Sequence, residues 1–61
     1  MKKLYLVEVS NRDNGKIYER KCYWQYGRIS NYCNKMFRKY GDRVYCIVFD
    51  EDLRVVEEWG A

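Results

Sequence analysis

The alternation of apolar and polar positions predicts a hairpin at the start of the chain. Residues 3–10 and 16–24 each mix aromatic and aliphatic side chains with charged ones, and Asn14-Gly15 lies between them. Both central positions of a type I′ turn need positive φ, which makes Asn-Gly a strong signal for a two-residue turn. Counting outward from that turn predicts the cross-strand pairs. They are Tyr5 with Trp24, Val7 with Cys22 and Glu8 with Lys21.

The apolar period changes in the middle of the chain. Apolar side chains recur there at i, i+3, i+4, i+7, i+8 and i+11, which makes one stripe along three turns of an α-helix. These side chains are Ile29, Tyr32, Cys33, Met36, Phe37 and Tyr40. We predict a helix over residues 28–40, with Gly27 or Ser30 capping its start and Gly41 as a left-handed stop.

The last third of the chain predicts a second pair of strands. Residues 43–49 are mostly β-branched and aromatic, which favours a buried strand, and a turn follows at residues 50–52. Residues 53–59 allow a strand or a short capped helix, and their adjacent valines favour the strand. The predicted fold is therefore a single α+β domain over residues 1–61. It has the order ββαββ, with an antiparallel sheet of three to four strands and one amphipathic helix packed on one face.

One helix shields only one face of a sheet, and the strands are apolar on both sides. In the third strand, alternate positions on either side carry apolar residues, so one apolar set stays uncovered whichever face the helix takes. We expect Leu6, Tyr23, Tyr45, Ile47 and Phe49 on the uncovered face. Large exposed apolar patches mark contact surfaces, and so short a chain often needs oligomerisation to be stable. The alternative is that these residues lie under the terminal segment or are scattered singly.

Charge is unevenly distributed along the chain. The net charge is +3, but residues 16–43 carry eight cations and two acids, whereas residues 44–61 carry one cation and five acids. The predicted helix has four cations and no acid: Arg28, Lys35, Arg38 and Lys39. Such a face can bind phosphates, with Tyr23, Trp24 or Tyr26 available to stack on bases. The alternative is a solvated helix face that keeps the protein in solution.

Candidate chemistry is sparse. The chain has no His, no nucleophile elbow and no Gly-rich phosphate loop, so we predict no enzymatic activity, no cofactor and no small-molecule substrate. Three cysteines without a Cys-x-x-Cys pair predict buried free thiols; one disulfide or metal ligation are the alternatives. The acidic run at residues 50–52 favours a polar turn over a cation site.

We therefore predict a cytoplasmic, non-membrane, non-enzymatic protein-binding module, acting on a larger protein or forming a homodimer. Its size and basic-then-acidic layout are of the general sort seen in small inhibitors, adaptors and accessory proteins of phages and mobile elements, although no motif matches. The predicted partner-binding residues are Arg28, Lys35, Arg38, Lys39, Tyr23, Tyr45, Ile47 and Phe49. The second hypothesis is a small basic nucleic-acid-binding protein that uses the helix at residues 28–40.

Overall fold

The computed structural model describes residues 3–41 and 43–60, and it has the predicted element order. The elements are β1 (Tyr5–Asn11), β2 (Ile17–Tyr23), α1 (Gly27–Tyr40), β3 (Val44–Phe49) and β4 (Val55–Trp59). The α+β class and the ββαββ arrangement are confirmed, and the final segment is a strand rather than a helix. Positions 1, 2, 42 and 61 of the predicted domain lie outside the described residues.

The four strands form one antiparallel sheet in the order β2-β1-β3-β4. The two central strands, β1 and β3, alternate buried and partly exposed residues, and α1 lies across their buried side. The core between them contains Val7, Val9, Ile29, Tyr32, Cys33, Met36, Val44, Cys46 and Val48. A helix of 14 residues therefore covers the middle of the sheet and leaves both edge strands at its flanks.

Helix α1 begins one residue earlier than predicted. Tyr26 occupies the N-cap and makes no side-chain capping bond, so neither Gly27 nor Ser30 acts as the cap. The helix ends where expected: Gly41 has a φ of 93°, and its N–H donates to the carbonyl oxygen of Phe37 at 2.9 Å. Within the described part of the chain, no helix is long and apolar enough to cross a bilayer.

The predicted hairpin register is wrong by one residue. Val7 pairs with Lys21, not Cys22. The turn is a four-residue loop over residues 12–15, closed by Asn11 N–H donating to Lys16 O at 2.7 Å, which moves the register by two residues. A bulge at Tyr18, between the pairs at Val9 and Ser10, moves it back by one. The corrected pairs are Tyr5 with Tyr23, Val7 with Lys21 and Glu8 with Arg20. The Asn11 side chain stabilises this longer loop, since its Oδ1 accepts the backbone N–H groups of residues 13 and 14 at 2.8 and 3.2 Å.

A one-residue shift turns every side chain of a strand to the opposite face. Glu19, Lys21 and Tyr23 of β2 therefore lie on the side of the helix, and Arg20 and Cys22 lie on the other side. A bulge between the pairs at Val9 and Ser10 then places Tyr18 on the helix side as well, where it stacks on Tyr40.

Three tyrosine pairs attach the helix segment to the first hairpin. Each joins one strand tyrosine to one tyrosine in or just before α1, and the ring centroids are 4.3–5.5 Å apart. The pairs are Tyr5 with Tyr26, Tyr18 with Tyr40 and Tyr23 with Tyr32. Aromatic pairs at this spacing contribute about 0.5–1.5 kcal/mol each beyond their buried area. Six of the seven tyrosines thus extend a short core along the flank of the helix.

Gly60 allows a close approach at the end of β4. A Cβ at this position would collide with the carbonyl oxygen of Val44 and press on the Phe37 ring, whereas a Cβ at Gly41 would meet open space. Both glycines have positive φ, at 89° and 93°. A side chain at either glycine therefore costs free energy because of the positive φ, but only at Gly60 would it also collide with neighbouring atoms.

We expect Gly60→Ala to destabilise the fold more than Gly41→Ala. The helix-end variant should lose about 1 kcal/mol from its positive φ, and the strand-end variant should lose about 1–3 kcal/mol more because of overpacking. Urea unfolding followed by circular dichroism measures both. Equal losses would show that the chain after β4 moves away from Phe37 without cost.

Candidate functional site

A groove runs between the flank of α1 and the edge strand β2. It exists because the helix lies over β1 and β3, so β2 extends beyond the helix on one side. The groove encloses about 610 Å³. Its lining residues are Glu19, Lys21, Tyr23, Arg28, Asn31, Tyr32, Lys35, Met36 and Lys39, and we call it the basic groove.

Four cations line the basic groove. Arg28, Lys35 and Lys39 lie on one flank of α1 because they are seven and four residues apart, which is close to whole helical turns. Lys21 faces them from β2, with its Nζ 5.5 Å from the ring centroid of Tyr23 and 5.7 Å from that of Tyr32. The positive charge that the sequence places along the middle of the chain is thus concentrated along one side of the molecule.

Among the described residues that line the basic groove, Glu19 alone is acidic, and its carboxylate accepts hydrogen bonds from within the protein. Its two oxygens accept the hydroxyl protons of Tyr32 and Tyr40, both at 2.7 Å, and Lys39 Nζ lies 3.3 Å away. The hydrogen bond from Tyr32 and then that from Tyr40 lower the pKa of Glu19. Burial, followed by the hydrogen bond to Glu19, raises the pKa of Tyr32. Glu19 therefore ties β2 to the helix.

A second depression of about 300 Å³ continues the groove at one end. It shares Tyr23 and Arg28 with the groove, and it is also lined by Cys22, Trp24 and Gln25. The Arg28 Nε donates to the Gln25 side-chain oxygen at 2.9 Å, which orients the guanidinium. Trp24 is 59% exposed, which is unusual for so large an apolar ring. An open aromatic surface thus lies at the end of a cationic track.

The side of the sheet away from α1 forms a second candidate surface, which we call the open face. Pairing across the four strands places its side chains in three rows. The first row is Cys22, Leu6, Phe49 and Val55; the second is Arg20, Glu8, Ile47 and Glu58; the third is Ile17, Ser10 and Tyr45. Charges occupy only the middle row, with the Glu8–Arg20 ion pair (3.1 Å) toward β2 and Glu58 at β4.

Leu53 borders the first row of the open face. Together with Leu6, Phe49, Glu8 and Arg20 it lines a hollow of about 330 Å³. Its side chain is 69% exposed, and its φ is 61°, a left-handed conformation that branched apolar residues rarely adopt. The turn after β3 imposes this conformation, since Leu53 N–H donates to Asp50 O at 3.0 Å. The fold thus exposes the apolar side chain of Leu53 to solvent and also holds its backbone in an unfavourable conformation.

The cysteines are free, and two of them are buried. Cys33 and Cys46 lie in the core, where the neighbouring Cys46 thiol and then burial raise the pKa of Cys33. The prediction of buried thiols is wrong for Cys22, which is exposed because the register shift places it on the open face.

The acidic turn after β3 is held by hydrogen bonds to the side chain of Asp50. Asp50 Oδ1 accepts the N–H groups of Asp52 and Arg54 at 2.9 and 3.0 Å, as in an Asx-type turn. Among the residues that the structure describes, no group of three or more Asp, Glu, Cys or His side chains has a geometry that could hold a metal ion.

The predicted partner-binding residues fall on different surfaces. Arg28, Lys35, Lys39 and Tyr23 line the basic groove, whereas Tyr45, Ile47 and Phe49 lie on the open face. The expectation that Tyr23 accompanies those three is wrong, because the bulge in β2 turns it toward Tyr32. Arg38 lies on the same helix but does not line the groove.

The sequence reasoning missed Glu19 and Lys21 as groove residues. The correct hairpin register would have identified them, because pairing Val7 with Lys21 turns both side chains toward the helix. Comparison of the chain with protein-family models, curated proteins and solved structures found no match. The functional argument therefore rests on these two surfaces.

We expect Glu19→Gln to lower stability and to weaken its dependence on acid pH. The lowered pKa means that the folded state binds a proton at Glu19 less readily than the unfolded chain does. Its contribution is therefore full above the ordinary pKa of 4.5 and is lost as pH falls through the lowered folded value. Near pH 7 the variant should lose about 1 kcal/mol, which is about 4–8 °C in Tm for so small a domain.

Thermal melts of wild type and variant between pH 2 and 7 measure this effect, with Asp52→Asn as the control for loss of one exposed carboxylate. The difference in Tm between wild type and Glu19→Gln should narrow toward pH 2, whereas Asp52→Asn should differ little throughout. A constant difference across the range would contradict a role for the ionised carboxylate.

Proposed function

We propose that the protein is a non-enzymatic protein-binding module whose open face binds a second copy of the same chain. The observation that carries this proposal is the arrangement of the middle row, in which Arg20, paired with Glu8 at 3.1 Å, lies at one edge of the sheet and the acid Glu58 lies at the other. Apolar side chains lie on either side of that row. Such a face is complementary to itself in one orientation.

The charges select the symmetry axis of the dimer. A two-fold axis parallel to the strands places β2 of one copy over β4 of the other, so Arg20 lies opposite the partner's Glu58 twice. The same operation places Leu6 opposite Phe49 in the first row. A two-fold axis perpendicular to the strands within the interface would instead oppose Arg20 to Arg20. Aligned packing of two sheets, with both copies presenting the same patch, is a common arrangement.

Leu53 supports an interface on this face. An exposed leucine held at positive φ is a cost to the isolated monomer, and such strain is concentrated at functional sites. In the dimer its side chain would be removed from water together with Phe49, in the hollow that the two residues border.

The edges of the sheet are less suited to association than the face. The register shifts in the β1–β2 pair and in the β3–β4 pair, so both sheet edges are interrupted by bulges. Bulges and charged side chains on edge strands oppose pairing with another chain. Action on a larger protein, as an inhibitor or adaptor, stays a prediction from the sequence.

We expect the wild type to sediment as a dimer and Phe49→Asp to sediment as a folded monomer. The substitution places a charge in the apolar first row, where it would be desolvated in the interface. Sedimentation equilibrium measures the mass, and circular dichroism verifies folding. The control is Arg38→Glu, a charge reversal on the helix layer, which should leave the dimer intact.

Leu53→Gly gives a second test, because glycine relieves the backbone strain at this position. The monomer of this variant should be at least as stable as that of the wild type, while its dimer should be weaker. A wild type that remains monomeric at high concentration would exclude the proposal.

A charge exchange tests the proposed axis directly. Arg20→Glu should weaken the dimer, and adding Glu58→Arg in the same chain should recover part of the loss, because the two proposed intersubunit pairs re-form with reversed sign. The Glu8–Arg20 pair is absent from both variants, so the comparison isolates the intersubunit term. With two exposed pairs of about 0.2–1 kcal/mol each, the recovery should be about twofold to thirtyfold in the dimer dissociation constant. No recovery would contradict this axis even if the dimer exists.

A further inference from the structure

The basic groove lies on the side of the sheet opposite the open face, and its chemistry differs from that of a protein–protein interface. It combines regularly spaced cations, one internally neutralised acid and an exposed tryptophan. We propose that the groove, with the adjoining depression at Trp24, binds single-stranded nucleic acid. The proposal does not depend on the dimer.

The cations are placed to follow a phosphodiester backbone. From Arg28 to Lys39 the helix rises about 16 Å, at roughly 1.5 Å per residue, with Lys35 between them on the same flank. Lys21 reaches into the groove from the opposite wall. None of Lys21, Arg28 and Lys35 forms an ion pair within residues 3–41 and 43–60, so their charge is available to a ligand.

The single acid of the groove does little to repel an anion. Both oxygens of Glu19 are already occupied by tyrosine hydroxyls, and its charge is balanced by Lys39 at 3.3 Å. The acidic end of the chain is held elsewhere, because Glu57 and Glu58 lie on β4, the sheet edge opposite to β2. A polyanion therefore meets positive charge at Lys21, Arg28 and Lys35, and a balanced ion pair at Glu19 and Lys39.

Trp24 is the feature that favours nucleic acid over an acidic peptide. A peptide rich in Asp or Glu would use the cations but would have no flat ring to place on an indole. Bases of a single strand stack on exposed aromatic rings while their phosphates follow a basic groove. Trp24 is exposed and shares a depression with Arg28, so stacking and phosphate contacts can occur on adjacent nucleotides.

Fluorescence polarisation with labelled 12-nucleotide DNA and RNA strands of mixed sequence tests the proposal. We expect micromolar binding of at least one strand type, with duplex DNA bound more weakly. Three phosphate contacts predict a slope of about −2 for log K against log salt concentration, since each contact to a single strand contributes about −0.7. The DNA and RNA arms determine which backbone is preferred.

Two substitutions separate the charge from the stack. Lys35→Ala should make the salt slope less negative by about 0.7, whereas Arg54→Ala, which removes one cation near the opposite sheet edge, should leave the slope unchanged. Trp24→Ala should weaken binding by about 5- to 150-fold, which corresponds to the roughly 1–3 kcal/mol measured per stacked base, at an unchanged slope. Circular dichroism confirms that each variant is folded.

Three results would overturn the proposal. One is the absence of binding to either strand at 50 mM salt. Another is binding that Trp24→Ala and Lys35→Ala leave unaltered. The last is equal binding of a poly-glutamate peptide of the same charge that also resists Trp24→Ala, which would identify the groove as a site for acidic peptides.

Discussion

The structure depends on one constraint, which is that a single helix covers only the two central strands of a four-stranded sheet. The core between α1 and the two central strands, β1 and β3, is narrow and lined largely by valine, isoleucine and cysteine side chains. The features outside this core lie where the helix does not cover the sheet. On one flank, tyrosines and Glu19 bridge the gap to β2; beyond the sheet, an entire face has no covering layer. Both the basic groove and the open face therefore exist because one helix covers only part of the sheet.

The sequence predicted the elements and their order because each depends on local patterning. The stripe that ends at Tyr40 and Gly41 located the helix to within one residue, and the β-branched and aromatic run around Cys46 identified a buried strand. The adjacent valines correctly indicated a strand at the end of the chain. These features depend on side-chain period and backbone preference, which a single sequence contains in full.

The register of the hairpin was not predictable in the same way. Asn14-Gly15 is compatible with a two-residue turn, and the hydrogen bonds of the Asn11 backbone and of its side-chain oxygen stabilise the longer loop instead. The longer loop shifts the register by two residues and so keeps the faces, whereas the bulge at Tyr18 adds an odd residue. Because the side-chain period in a strand is two, this bulge places Tyr23, Lys21 and Cys22 on new faces. The sequence therefore predicted the basic flank of the helix, which is one wall of the groove. It did not predict the groove itself, since the other wall depends on the register of β2.

The sheet order also has a consequence for how the chain reaches this state. The first strand synthesised, β1, is a central strand, and its neighbour β3 begins more than thirty residues later. An early β1–β2 hairpin leaves Val7 and Val9 in water until β3 and the helix arrive. Closing so long a loop before the main contacts form slows folding. On the ribosome the fold cannot consolidate until β3 has left the exit tunnel, so the nascent hairpin is the stage most exposed to aggregation.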